Sequence, residues 1–377
     1  MNADVAVARP LRAALQREWL LLVFAAVGVA LAWIDPQPAS AYRRWLHVPS
    51  LAGLTGLLIA IQAIGDSGLV QRAAAKLLLR MRSVRGVGLL MVAAAALLSM
   101  VLTNDVSLFL IVPPTLALGG LCRLPVGRVV VLEALAVNAG SSLSPIGNPQ
   151  NLLLWQRAGV SFVGFMWAML PAASVMCALV AGLAWCWLPA EQITLAAGAL
   201  EAERVRRPLA ALGVVALVGM VVTLEAGRAV VGLGAVLVAF GLLARGSLRR
   251  ADWLLLSTLA VIFVALGHAG ALPPVRGALE RLDLSRPLVA YVAGIGLSQV
   301  ISNVPATVLL MERVHDPLTL AVAVIVGGFG LAIGSLANLI ALRLARLPHG
   351  VRLLHRVSVP FLLVCAPLVY LSWRWLG

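Results

Sequence analysis

The chain has 377 residues, 62% of them hydrophobic, with a mean hydropathy of +1.00 and only 12% charged, which excludes an ordinary soluble domain, where about a quarter of residues are charged. The formal net charge of +14 would suit nucleic acid, but the basic residues sit in short loops between apolar blocks, as the positive-inside rule places them in a membrane protein. Cys122, Cys177, Cys186 and Cys365 show no C-x-x-C spacing, so neither a zinc site nor a disulfide framework is expected.

The apolar blocks match the length needed to cross a bilayer core of roughly 30 Å. Spans are predicted at 19–34, 50–66, 127–157, 162–188, 209–223, 228–244, 252–270, 317–346 and 357–373. The first lacks a small-residue cleavage site and reads as a span rather than a signal peptide. Two further apolar regions, 86–121 and 287–313, are interrupted by Thr103-Asn104-Asp105 and by Ser302-Asn303-Val304-Pro305. Each follows a basic segment, Gln71–Arg85 or Arg276–Arg286, read as an interfacial helix. The interrupted regions are read as re-entrant hairpins, because non-helical backbone at membrane depth needs protein or a wet cavity to satisfy it. The fold class is thus an all-α integral membrane domain over residues 1–377, with about nine transmembrane helices and two re-entrant hairpins. Basic residues then gather on the side of the N-terminus. This predicts a cytoplasmic N-terminus and an outer C-terminus, in a bacterial inner (plasma) membrane.

The polar interruptions repeat. The first hairpin carries Ser99-x-x-x-Thr103-Asn104 and the second Ser298-x-x-x-Ser302-Asn303, offset by 199 residues. The long spans after them share G-x-x-x-x-x-I-G-x-x-x-N, from Gly140 through Gly147 to Asn151 and from Gly327 through Gly334 to Asn338, offset by 187 residues. Two motifs recurring in one order indicate an internal repeat. The first repeat is 19–188, with hairpin 86–121 and broken helix 127–157. A cytoplasmic linker follows at 189–208. The second repeat is 209–377, with hairpin 287–313 and broken helix 317–346. An odd number of crossings between the hairpins inverts one repeat relative to the other, the plan of secondary transporters with sites near the midplane. Hydroxyls, amide oxygens and freed carbonyls are hard neutral ligands for Na⁺ or partners for an oxyanion. Gly147 and Gly334 allow close backbone approach, and Pro145, Pro149 and Pro305 interrupt helical hydrogen bonding.

At these residues the chain resembles the ion transporter superfamily of divalent anion/sodium symporters, citrate transporters and arsenite/sodium–proton antiporter permeases, most closely its anion-permease branch. The tracts are Leu102-Thr103-Asn104-Asp105-Val106, Ser144-Pro145-Ile146-Gly147-Asn148-Pro149-Gln150-Asn151, Ser298-Gln299-Val300-Ile301-Ser302-Asn303-Val304-Pro305 and Gly334-Ser335-Leu336-Ala337-Asn338-Leu339. The resemblance implies one Na⁺ site at Ser99, Thr103, Asn104 and Gly147 and a second at Ser298, Ser302, Asn303 and Gly334. It also implies substrate contacts from Thr103, Asn104, Asp105, Asn148, Asn151, Ser302, Asn303, Ser335 and Asn338. The family's S-N-T tip reads Thr-Asn-Asp and Ser-Asn-Val here.

Asp105 is read as a cation ligand, a proton carrier or a cap of the helix that follows it. Glu133 is a second proton-carrier candidate, or else a partner of Arg128 near the cytoplasmic end of its span. Asn138 is read as facing the cavity or as packing between helices, His268 and Gln299 as pathway or as structural hydrogen bonds, Glu201–Arg207 as a solvated loop, and Trp155, Trp167, Trp185 and Trp187 as interfacial anchors. The expected function is secondary active transport of a small inorganic or organic anion by alternating access, coupled to Na⁺ or H⁺. The alternatives are a sodium/proton antiporter, an intramembrane enzyme or a passive channel. Neither a Walker motif nor H-E-x-x-H is present, so a non-enzyme is expected. No cofactor is expected beyond Na⁺. The expected partners are a small anion, Na⁺ or H⁺, and the lipid bilayer, with homodimerisation open.

Overall fold

The computed structural model describes residues 19–69, 72, 81–122, 124–192, 204–347 and 349–376. Most of the expected interfacial segment Gln71–Arg85 and the middle of the 189–208 linker lie outside them. Among the described residues the fold is helical, with one isolated β-bridge between Ser83 and Gln192.

The chain opens with α1 (Trp19–Ile34), α2 (Ala39–Trp45) and α3 (Val48–Asp66). The first interrupted region is α4 (Val84–Val101) and α5 (Asn104–Cys122), separated by Leu102 and Thr103 alone. The first broken span is α6 (Val126–Ser141) and α7 (Pro149–Ala158). Pro149 opens α7 at a position where a missing N–H costs nothing. Then come α8 (Phe162–Trp187), α9 (Arg207–Glu225), α10 (Ala229–Leu243), α11 (Arg245–Arg250), α12 (Trp253–Ala271) and α13 (Pro273–Glu280). The second interrupted region is α14 (Pro287–Ile301) and α15 (Asn303–Leu310). The second broken span is α16 (Pro317–Gly327), a 3₁₀ turn at Ala332–Gly334, and α17 (Leu336–Ala345). Helix α18 (Gly350–Leu376) follows.

Three expectations shift, the first being the Thr103-Asn104-Asp105 interruption, which is Leu102-Thr103 because Asn104 and Asp105 already belong to α5. The second interruption is Ser302 alone, because Asn303, Val304 and Pro305 already belong to the first turn of α15, where proline is tolerated. The interfacial helix expected at Arg276–Arg286 is instead Pro273–Glu280, since Pro273 starts the helix and Asp283 folds back to accept from Arg286. Helix α4 is also by itself long and apolar enough to cross a membrane.

The broken helices form the centre. Every residue of Val129–Ser141 and of Thr319–Gly327 is buried, including the polar Glu133, Asn138 and Ser141 of the first. Helix α4 packs along α6, and α14 along α16. The halves also exchange contacts: α5 and α6 pack on α17, while α15 and α16 pack on α7. A separate group surrounds α3, which packs on α9, α10 and α11, while α12 carries α1 and α2. The outer helices expose apolar side chains such as Val215, Val222, Val231 and Leu242, the surface a protein presents to lipid.

Candidate functional site

Two unwound segments meet at the centre of the fold, between Ser141 and Pro149 and between Gly327 and Leu336. Breaking a helix frees carbonyls that lipid cannot satisfy. Here one asparagine per half satisfies them at matching positions. Asn151 donates to the carbonyls of Ser141 (3.0 Å, ten residues back) and Ser144 (3.0 Å, seven back). Asn338 donates to those of Gly328 (2.8 Å, ten back) and Leu331 (3.4 Å, seven back). The repeated I-G-x-x-x-N motif thus carries one local device twice.

Asn138 joins the halves. Its side-chain oxygen accepts from the Ser335 hydroxyl at 2.9 Å, and its amide donates to the Asn338 oxygen at 3.2 Å. Asn138 is thus a hydrogen-bond bridge between the two segments. Gln299 is also structural: it accepts from the Leu331 N–H at 2.7 Å and donates to the Gly327 carbonyl, stitching α14 to the second unwound segment. His268 contacts Asp35 at 3.4 Å and stacks on Trp45, pinning the α1–α2 region to α12.

Glycine sets how closely α4 and α14 approach. A Cβ on Gly140 would lie 2.1 Å from the Ala96 carbonyl oxygen and 2.6 Å from the Ser99 hydroxyl. One on Gly147 would lie 2.4 Å from the Ser141 oxygen and 2.8 Å from the Ser99 oxygen. In the other half, Gly327 would meet Ser298 at 2.6 Å and Gly334 would meet the Gly327 oxygen at 2.6 Å. The backbone N–H of Asn104 donates to the Gly147 carbonyl at 3.0 Å. Ser99, Thr103, Asn104 and Gly147 are therefore brought together. In the second set, Ser298 lies against Gly327, and Ser302 and Asn303 form the neighbouring tip.

The tips are built alike but strained differently. Asn104 and Asn303 each accept, through the side-chain oxygen, the N–H of the next residue (3.0 and 2.9 Å). Ser302 sits at φ 75°, ψ 158°, a region that only glycine occupies easily and that costs about 1–3 kcal/mol. Thr103 has no such strain, and nothing in the two sequences announces the difference.

Asp105 does not cap α5. That task falls to Asn104 and, more weakly, to Thr103, whose hydroxyl accepts from Val106 at 3.5 Å. Asp105 is instead 7% exposed, its Oδ1 has no hydrogen-bond partner among the described residues, and it lines a cavity of about 600 Å³. Glu133 does not pair with Arg128. It is fully buried and accepts from the Thr115 hydroxyl, while Arg128 donates to the Trp187 carbonyl at 2.9 Å and lies over that indole ring. The cause is the helix register, which turns Glu133 inward toward α5 and Arg128 outward toward the end of α8. Thr115→Val should therefore destabilise the protein by about 1–3 kcal/mol, by leaving a buried carboxyl unpaired. Arg128→Ala should cost less than about 1 kcal/mol beyond the lost stacking, and thermal unfolding in detergent checks both.

Among the described residues, the first unwound segment also holds unsatisfied polar atoms. The Oδ1 atoms of Asn148 and Asn151 and both amide atoms of Gln150 are buried without a protein partner. Asn148 spends its amide on the Ser141 hydroxyl. Gln150 lies inside the Asn148–Asn151 tract, a third amide between two predicted contacts, and that clustering of amides is the signal for it in the sequence. Such atoms in a low-dielectric interior are costly unless a ligand or water meets them.

The sequence model of the citrate transporter family matches residues 13–326. The chain belongs to the citrate transporter family. Inner membrane protein YbiR of Escherichia coli is 39% identical over 363 residues, 96% of this chain and 97% of that one. An uncharacterized transporter of Methanocaldococcus jannaschii is 25% identical over 333 residues, 87% of this chain and 89% of that one. The crystal structure of the Alcanivorax borkumensis YdaH transporter shares the fold, with a TM-score of 0.54 over 95% of this chain and 97% of that one at 16% identity. This citrate transporter family member is accordingly a helical membrane transporter, and the polar centre just described is its candidate transport site.

Proposed function

We propose that the protein is a secondary active transporter that moves a small inorganic or organic anion by alternating access, driven by Na⁺ or H⁺. The observation that carries this reading is the pair of unwound segments, held by Asn151 and Asn338 and bridged by Asn138. Segments of this kind present half-helix N-termini to an anion and free carbonyls to a cation. The unpartnered amide of Gln150 beside Asn148 offers the donors an oxyanion needs. Under this reading the two halves are inverted repeats with re-entrant hairpins 86–121 and 287–313. Ser99, Thr103, Asn104 and Gly147, and Ser298, Ser302, Asn303 and Gly334, serve as cation sites, the N-terminus is cytoplasmic and the C-terminus outside.

The test is a panel of small anions, citrate and inorganic oxyanions among them, offered to proteoliposomes under imposed Na⁺ or H⁺ gradients. The expected result is gradient-dependent uptake of at least one anion. Clear Na⁺/H⁺ exchange with no anion taken up would overturn the first reading and establish the second, a sodium/proton antiporter. That second reading is favoured by one observation, a buried Asp105 that lines a cavity and whose Oδ1 has no hydrogen-bond partner among the described residues. It requires Asp105→Asn to abolish exchange.

A further inference from the structure

The cavity under Asp105 is distinct from the contact between the hairpin tip and the broken helix. It lies between the tip (Thr103, Asp105), the end of α3 (Gln62, Asp66) and the α11–α12 junction (Arg250, Asp252). Three carboxylates and one guanidinium are thus brought to a space of about 600 Å³.

The charges are not equivalent. Asp66 is fully engaged: its Oδ2 accepts from Arg250 at 2.8 and 3.2 Å and from the Ser247 hydroxyl at 2.8 Å, and its Oδ1 accepts from Gln62 at 2.9 Å. Arg250 gives its Nε and Nη2 to the same Asp66 oxygen, so its charge is directed at Asp66. Asp252 uses one oxygen to cap α12, accepting from Leu255 at 2.9 Å. Asp105 is more than nine-tenths buried, lines the cavity, and leaves Oδ1 without a partner among the described residues. Buried Asp105 and solvent-exposed Asp252 stand at one cavity without an ion pair among the described residues, and Thr103 and Gln62 also line it. All of these are hard oxygen donors. A buried carboxylate at membrane depth is expensive without a positive partner.

We infer that this cavity is a binding site for a small monovalent cation, with Asp105 as its principal ligand, Asp252 as the second carboxylate at its mouth, and Arg250 holding Asp66 out of the site. It is a third cation position, adjoining the first pseudo-symmetric site through Thr103. It also bridges the hairpin tip to the helix group around α3 and α12, so an ion held there bears on the motion between them. The inference rests on the reading that transport is cation-coupled.

The test is equilibrium binding of ²²Na⁺ to the purified, detergent-solubilised full chain, with size-exclusion and thermal unfolding run on every variant. Asp105→Asn keeps size and hydrogen-bonding capacity, and should remove one bound Na⁺ or weaken it at least tenfold. Asp252→Asn should weaken the same ion several-fold. Arg250→Gln frees Asp66, and should leave the ion bound at least as tightly as in the parent protein. Unchanged Na⁺ binding in folded Asp105→Asn overturns the inference, and so does loss of binding in Arg250→Gln with Asp105→Asn unaffected. Wild-type uptake in proteoliposomes keeps the two ideas apart. Gradient-driven uptake with Asp105-independent Na⁺ binding sinks this site and leaves the transport reading standing; Asp105-dependent binding with no gradient-driven transport does the reverse.

Discussion

Replacing Asn338 with Leu is expected to abolish transport and to destabilise the folded protein by about 2–4 kcal/mol. Leucine keeps the branching of asparagine but is bulkier, so overpacking adds to the cost at this fully buried position. What is lost is the pair of donations to the Gly328 and Leu331 carbonyls and the acceptor for Asn138. The buried Gly328 carbonyl is then left unpaired, and the Leu331 carbonyl loses its weaker, part-buried bond. Asn151→Leu removes the matching bonds in the other half and should behave alike. Asn138→Leu should also abolish uptake, and a double change at Asn138 and Asn338 should cost clearly less than the sum of the singles, since both act through one shared network. Uptake measured beside thermal unfolding checks this. Wild-type rates in Asn338→Leu would show that the unwound segments do not depend on it.

The second large effect concerns Gly140→Ala. The new Cβ would stand 2.1 Å from the Ala96 carbonyl oxygen and 2.6 Å from its carbon. Both are backbone atoms, so no side-chain rotation relieves the clash, and α4 must move away from α6. Overpacking of this kind costs about 1–3 kcal/mol. The displacement also carries Ser99 away from Gly147, so uptake should fall by at least about 100-fold, equivalent to some 2.7 kcal/mol. Gly182→Ala is the matched control: nothing lies within 4 Å of its Cβ position, and the change should be neutral or slightly stabilising. Equal loss of uptake in both variants would contradict the proposed role of the α4–α6 approach.

Most of the fold was legible because lipid enforces simple rules. Spans follow from apolar length, so 162–188 and 252–270 fall within a residue of α8 and α12. The breaks followed from polar residues and proline, and the Asn151–Asn338 correspondence from a shared motif whose spacing the hydrogen bonds reproduce. Three things were not legible. The Glu133–Thr115 bond depends on how α5 and α6 face each other, and sequence distance carries no trace of that. The strain at Ser302 belongs to the chain path, since Thr103 occupies the matching position without it. The Asp105 cavity is assembled from α3, α5 and the α11–α12 junction, and only the folded protein brings Asp66, Arg250 and Asp252 together. Its pairing of Arg250 with Asp66 raises the guanidinium above its ordinary value, through the hydrogen bonds and the carboxylate charge, so Arg250 stays charged at every physiological pH.

The central claim is that the bridged pair of unwound segments is the transport site of a gradient-driven carrier. It is tested most directly by following a radiolabelled anion into proteoliposomes until its internal level plateaus, with the Na⁺ or H⁺ gradient intact and then collapsed by an ionophore. The expected result is a plateau above the external concentration that falls to equality on collapse and is absent in Asn338→Leu protein. A plateau equal to the external concentration under every gradient, or the same accumulation in Asn338→Leu, would contradict it.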